Sequence, residues 1–421
     1  MPKSLTRSRN FSPRSAWTAV TLAAAVTAGT GAVWLQTDPM NGTTAAAAIS
    51  PMAATGDVSD TSAESDTELI QQQLQKLVDA GYPSVSAAIT DPKGNTTAVS
   101  VGTGNLATGE APPVDGQVRV GSNTKMFVST VVMQLVDEGA IGLDESVNSY
   151  LPGLVEGQGI DGDTITVRQL LQHTAGLPEY ADELAADAFG IQHTYISPRD
   201  MLDVALEKPA VFAPGQKWQY SNTNYLVLGL VIESVTDRPL YEEIEHRIVE
   251  PLRLKETYMP VPGEEQLRGD HALGYHVDES GALQDISTMD PSFAWAAGAM
   301  VSTPSELNTF MQALLGGNLV SEASFTEMQH TVPAGDELYP EATYGLGLQS
   351  FPLSDGGTAW GHGGDIPGTQ TRNAVSPDGT AVTIAVTALP WAIVDLADEE
   401  KLLEQYRIVI DALDDILGVA Q

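Results

Sequence analysis

The chain has 421 residues, with 55 Asp and Glu against 20 Lys and Arg, a formal charge of −35, and no cysteine. The absence of thiols excludes disulfide frameworks, thiolate metal sites and a cysteine nucleophile. The charge argues against nucleic acid and anionic lipid as partners, since both repel an acidic surface. A hydrophobic fraction of 42 % is ample for a large core.

Residues 1–14 carry Lys3, Arg7, Arg9 and Arg14, the stretch 16–35 is apolar, and 43–48 is rich in Ala and Thr. That three-part pattern predicts a secretory signal peptide over 1–48 and a secreted protein; an uncleaved anchor is the rival, weakened by Gly29 and Gly31 within the apolar stretch. Cleavage leaves 54 acids, 16 bases and a net charge of −38, and no stable membrane insertion. Residues 49–66 are small and polar and read as a linker.

The spacing of apolar residues predicts a helix over 68–80, stopped at Gly81. A hairpin follows, with strands 85–90 and 97–101 around the turn Asp91-Pro92-Lys93-Gly94-Asn95. Residues 122–138 read as a helix ended by Gly139, and further helices are expected at 166–171, 198–207, 224–235 and 241–249. Beyond 290 the pattern gives a helix at 304–315, strands at 343–348, 357–361, 370–376 and 380–387, and a closing helix at 396–417. This order predicts an α+β fold: an antiparallel sheet flanked by helices from both chain ends (67–120 and 290–421) plus an inserted, mostly helical domain (121–289), with a groove between them.

Seven His are scattered without metal-ligand spacing, and no G-x-S-x-G elbow is present, so a metal site and an α/β-hydrolase are unsupported and no cofactor is implied. The stretch 102–107 faintly echoes a dinucleotide loop but follows a hairpin strand, and reads as a turn. Ser122-Asn123-Thr124-Lys125 stands at the entry of an apolar helix. One helical turn puts the amine within reach of the hydroxyl, and a desolvated amine can accept a serine's proton. Chance supplies about half an S-x-x-K in such a chain, so an N-capping Ser with a solvated Lys would explain the motif alone. Two further motifs change the weighing: Tyr220-Ser221-Asn222 is the chain's only Y-x-N and His362-Gly363-Gly364 its only H-x-G.

With FAPGQKWQYSNTNYLVLG, LLQHTAGLP and YGLGL…WGHGG around these motifs, the chain resembles the penicillin-recognising serine hydrolases of the class C β-lactamase type, from about residue 67 to 415. The resemblance implies a β-lactamase/transpeptidase-like fold. It implies Ser122 as acylated nucleophile, Lys125 as its partner, Tyr220 as proton shuttle, Asn222 as a substrate-amide ligand and His362 on a groove-lining strand. Backbone N–H groups of Ser122 and Asp365, beside Gly364, would form the oxyanion hole. Whether Lys125 or Tyr220 is the base stays open. An assisting His362 with an ordinary pKa near 6.5 would make activity fall at mildly acidic pH. His173 is expected to hold a loop, and Trp218, Trp295 and Trp360 to pack in the core or line the groove.

The third motif departs from the family. It reads His-Gly-Gly-Asp where relatives carry a Thr that binds a terminal carboxylate, and Asp365 would add a like charge there, with Arg372 a candidate to compensate. These departures argue against a β-lactamase. The expected function is a secreted serine hydrolase, with a D-alanyl-D-alanine carboxypeptidase as lead and a D-aminopeptidase, D-amino-acid amidase or esterase as alternative. A non-catalytic β-lactam- or muropeptide-binding protein is the reading from another class. The expected ligands are small peptides or esters, with peptidoglycan stem peptides and β-lactams as candidates.

Overall fold

The structure, a computed structural model, describes residues 61–419 apart from 185–186 and 337–338. The expected signal peptide and residues 49–60 of the expected linker lie outside the described residues.

Five helices carry the architecture: α1 (Thr61–Asp79), α2 (Thr124–Asp137), α3 (Asn222–Thr236), α4 (Pro304–Leu315) and α5 (Glu399–Val419). The first starts seven residues before the expected position, taking residues 61–66 from the expected linker. Among the strands, β1 (Ser84–Thr90) and β2 (Thr96–Gly102) form the expected hairpin. The Asp91 carboxylate closes its turn by accepting from the N–H groups of Lys93 and Asn95, and Gly94 supplies a φ of 86°. The remaining strands are β3 (Val332–Pro333), β4 (Thr343–Tyr344), β5 (Gln349–Pro352), β6 (Thr358–Ile366), β7 (Thr369–Val375) and β8 (Ala381–Val386).

These eight strands form one antiparallel sheet in the order β2-β1-β8-β7-β6-β5-β4-β3, so the N-terminal hairpin pairs with the last strand of the chain. The expected strand 343–348 shrinks to two residues because the chain turns at Gly345–Gly347, where the Gly345 N–H bonds the Leu348 carbonyl. In return β6 runs to Ile366, five residues past its expected end, held by a continuous register with β7.

Helices cover both sheet faces. Leu74 and Leu77 of α1 and Val409 and Leu413 of α5 bury against Val85, Ala87 and Ile384. On the opposite face Asn308 of α4, fully buried, donates to the carbonyls of Ala88 and Ala381 and accepts from Thr383 Oγ1, so its amide is satisfied by three strand positions. The second helix is apolar on nearly all sides because it runs through the largest core, where Phe127 stacks on Phe310 of α4 at 3.7 Å.

Two glycines dock the start of α2 onto the sheet. Gly121, at φ 52°, opens a 3-10 turn over Gly121–Asn123, and any Cβ there would sit 2.7 Å from the Asp365 backbone nitrogen. From β6, Gly364 faces the same turn, and a Cβ on it would overlap the Val120 carbonyl oxygen and press on Asn123 Nδ2 and Thr371 Oγ1. Replacing Gly364 by Ala should therefore destabilise the fold by about 3 kcal/mol, read as a lowered denaturant midpoint; an unchanged midpoint would show that this docking is slack.

Candidate active site

The site forms where the 3-10 turn, the start of α2, the start of α3 and β6 converge. Lys125 is fully buried, and its Nζ lies 2.9 Å from Ser122 Oγ, 2.8 Å from Asn222 Oδ1 and 2.7 Å from the Ala297 carbonyl oxygen. Burial lowers its pKa from 10.5 to about 7, against a smaller opposing pull from Glu179. A neutral amine donates its two hydrogens to the two carbonyl-type oxygens, which turns its lone pair toward the Ser122 hydroxyl.

Tyr220 borders the same groove as Ser122, and burial holds its pKa well above the ordinary phenol value. Tyr220 is therefore a neutral phenol in the resting site. Its ring centroid is 4.9 Å from Lys125 Nζ. Asn222 is oriented by Glu179, whose Oε2 accepts from the Asn222 backbone N–H at 2.6 Å and from its Nδ2 at 3.2 Å. That leaves Oδ1 facing the lysine, so the amide orientation is set by its partners. Burial in turn raises the Glu179 pKa. The acid was not singled out by sequence reasoning. Its only signal was a carboxylate directly after the apolar run LLQHTAGLP.

His362 is buried on β6, and burial with the neighbouring Lys125 drives its pKa from 6.5 down to about 3. It is neutral across the physiological range, which removes the acid limb expected from its titration. Its protons are assigned by a chain of bonds. His173 Nδ1 accepts from the Ser221 N–H at 3.2 Å, so its Nε2–H donates to Tyr344 Oη at 3.3 Å. Tyr344 donates to His362 Nε2 at 2.8 Å, and His362 Nδ1–H points to the Gly363 carbonyl. Thus His173 holds the loop that carries Tyr220, as expected, and His362 is tied to it through Tyr344. That tyrosine lies in the quoted YGLGL stretch but was not assigned a role.

Arg372 is not a free cation in the groove. Its Nη1 bonds Asp365 Oδ1 at 2.7 Å and the Thr371 carbonyl at 2.7 Å, and the neighbouring carboxylate keeps it protonated despite burial. Asp365 is correspondingly not the bare like charge expected. Gly364 lies behind the groove, packed on the 3-10 turn as described above, and Trp295 and Trp360 pack on the core, whereas Trp218 lines the groove.

Ser122 sits between two cavities. The larger, of about 570 Å³, is bordered by Glu179, Tyr220, Tyr344, His362, Asp365 and Arg372 among others; the smaller, of about 130 Å³, is mostly apolar, with Phe293, Ile366, Trp391 and Tyr406 in its wall. A serine hydroxyl at a helix start, an amine near neutrality and a protonated phenol form a set able to transfer an acyl group.

Residues 67–405 match the β-lactamase family. The chain belongs to that family. Among solved structures it is similar to a D-stereospecific amidohydrolase from a Streptomyces species, 36 % identical, with 80 % of this chain and 97 % of that chain covered and a TM-score of 0.71. A D-amino acid amidase from Ochrobactrum anthropi is 26 % identical, over 83 % of this chain and 99 % of that chain, with a TM-score of 0.70. A Salmonella paratyphi A protein named as a D-alanyl-D-alanine carboxypeptidase is 32 % identical over 205 residues, 44 % of this chain and 45 % of its own. A Bacillus subtilis protein named as a penicillin-binding protein is 28 % identical over 63 % of this chain and 60 % of its own length. The chain thus spans about half to three-fifths of the curated relatives it matches. Among the described residues no helix is long and apolar enough to cross a membrane, and no three His, Asp or Glu are grouped to hold a metal.

Proposed function

We propose that the protein hydrolyses amides or short peptides of D-amino acids through an acyl-enzyme on Ser122, and that the basic and apolar N-terminal stretch exports it. Lys125, neutral, accepts the Ser122 proton during attack. Tyr220 then carries a proton to the leaving amine, and the backbone N–H groups of Ser122 and Asp365 hold the developing oxyanion. Asn222, fixed by Glu179, receives the substrate's own polar groups. Water attacks the ester by the reverse route.

The observation that carries the amide reading is the Asp365–Arg372 ion pair on the groove wall, with Gly363 at the position of the carboxylate-binding Thr. The cation available to a terminal carboxylate is already paired, and the larger cavity carries four acids, Glu179, Asp182, Asp336 and Asp365, against Lys208 and Arg372. Such a wall favours an uncharged leaving end and a free amino group over a carboxylate. The names of the Streptomyces and Ochrobactrum proteins point the same way. The second reading, a D-alanyl-D-alanine carboxypeptidase acting on peptidoglycan-type peptides, is favoured by the name of the Salmonella relative. Purified protein should hydrolyse D-phenylalanine amide with a kcat/KM at least about tenfold above that for an N-acylated D-Ala-D-Ala acid. The reverse order would establish the carboxypeptidase instead.

A further inference from the structure

Resting on the reading of the groove as one for substrates without a terminal carboxylate, we propose that Asp365 enforces that preference as a built-in carboxylate, occupying the Arg372 guanidinium that would otherwise bind one. Arg372 lies directly across the sheet from Gly363, and a Cβ at 363 would stand 3.0 Å from Arg372 Nη1 and 3.3 Å from Cζ. The guanidinium therefore packs close over Gly363, where a larger residue would press on it. Asp365, two residues along the same strand and on the same face, reaches it diagonally, with Oδ1 at 2.7 Å from Nη1 and Oδ2 at 3.4 Å from Nη2.

The pair is asymmetric. The Arg372 side chain is 4 % exposed and that of Asp365 30 %, so the acid is the more accessible partner of the pair. Both border the larger cavity together with Ser122. The arginine also has capacity left over: its Nε is buried with no acceptor among the described residues, and the same holds for Gln370 Nε2 on the same face of the strand. The two departures at 363 and 365 form one unit with Arg372. Glycine makes room for a guanidinium, the guanidinium offers a planar fork suited to a carboxylate, and the aspartate fills that fork. An incoming substrate carboxylate would have to displace Asp365 and then meet its negative charge. An amide or ester end meets a neutral pair.

The test compares D-Phe-D-Ala with its C-terminal amide, scoring release of D-phenylalanine from each. The wild-type protein should favour the amide. If it favours the acid, the functional reading itself falls, whatever the variants do. Asp365→Asn should shift the acid-to-amide ratio of kcat/KM toward the acid by at least about tenfold, because Arg372 is released to the substrate. Arg372→Met should shift it as far in the opposite direction, because a bare carboxylate then faces the groove. Asp182→Asn, which removes a charge from the same cavity away from the pair, should move the ratio by less than about threefold. An unchanged ratio in a folded Asp365→Asn variant overturns the proposal. So does an Asp182→Asn shift as large as that of Asp365→Asn, which would make the general field of the cavity responsible. If Asp365→Asn fails to fold because it strands a buried cation, Arg372→Met decides: a ratio equal to wild type overturns the proposal, and a shift toward the amide supports it.

Discussion

Replacing Lys125 by methionine should lower kcat/KM on an amide substrate by about 10³-fold or more, because the serine loses its proton acceptor. The same substitution should make the fold less sensitive to acid. Lys125 titrates near 7 in the folded protein and at its ordinary 10.5 when unfolded. Between those values the unfolded chain binds the extra proton, so the lysine's contribution to stability falls as pH drops from about 10 to 7 and stays low below that. The full difference is on the order of a few kcal/mol. Methionine removes that dependence while leaving the Asn222 and Ala297 oxygens without a donor. The stability difference between variant and wild type should therefore move in favour of the variant by a few kcal/mol from pH 10 to pH 6, measured by denaturant midpoints at both. A pH-independent difference would show that the lysine is not desolvated. In the wild type, kcat/KM should rise with pH through about 7 and then stay level, since the Tyr220 pKa lies well above 10. His362→Gln should keep that limb, because His362 is already neutral there. Loss of the limb in that variant would return the titration to the histidine.

The elements that a local signal marks were legible in the sequence. The 166–171 helix carries its own capping box, Thr166 with Gln169, and the helix at 198 has Ser197 as cap and Pro198 in its first turn. The hairpin carries Asp91 and Gly94. What was misjudged depends on long-range pairing. The two-residue β3 and the four-residue β5 have no periodicity to show, and β6 continues through Gly363 and Gly364 because β7 pairs with every residue from Trp360 to Ile366. No propensity argument would extend a strand across two glycines.

The site shows the same division. Ser122 and Lys125 were marked by type and spacing and Tyr220 and Asn222 by the family resemblance, and the structure gathers all four around the Lys125 amine. Their charge states were not legible, because these are set by burial. The sequence carries a histidine and a lysine with ordinary solution values, and the fold exchanges their behaviour: the lysine titrates near neutrality and the histidine does not. Arg372 and Asp365 were both noticed as single charges seven residues apart. Their cancellation rests on the β6–β7 register, which composition does not encode.

Tyr220→Phe separates proton delivery from positioning. Its place beside Ser122 and its raised pKa keep the phenol protonated, so it can donate toward the leaving group and is not a resting base. An amine leaves as a neutral molecule only when protonated, whereas a nitrophenolate leaves without help. On D-phenylalanine amide the variant should therefore lose roughly 10²- to 10³-fold in kcat with a KM close to wild type. On a nitrophenyl ester of the same amino acid the loss should stay below about tenfold. Equal losses on both substrates would mean that the hydroxyl acts on Ser122 itself, by orienting it or by taking its proton. Lys125, with its lone pair already turned toward that oxygen by Asn222 and Ala297, would then be demoted to a supporting charge. The ratio of the two losses is thus a direct reading of which of the two groups beside Ser122 moves the proton of the nucleophile and which moves that of the leaving group.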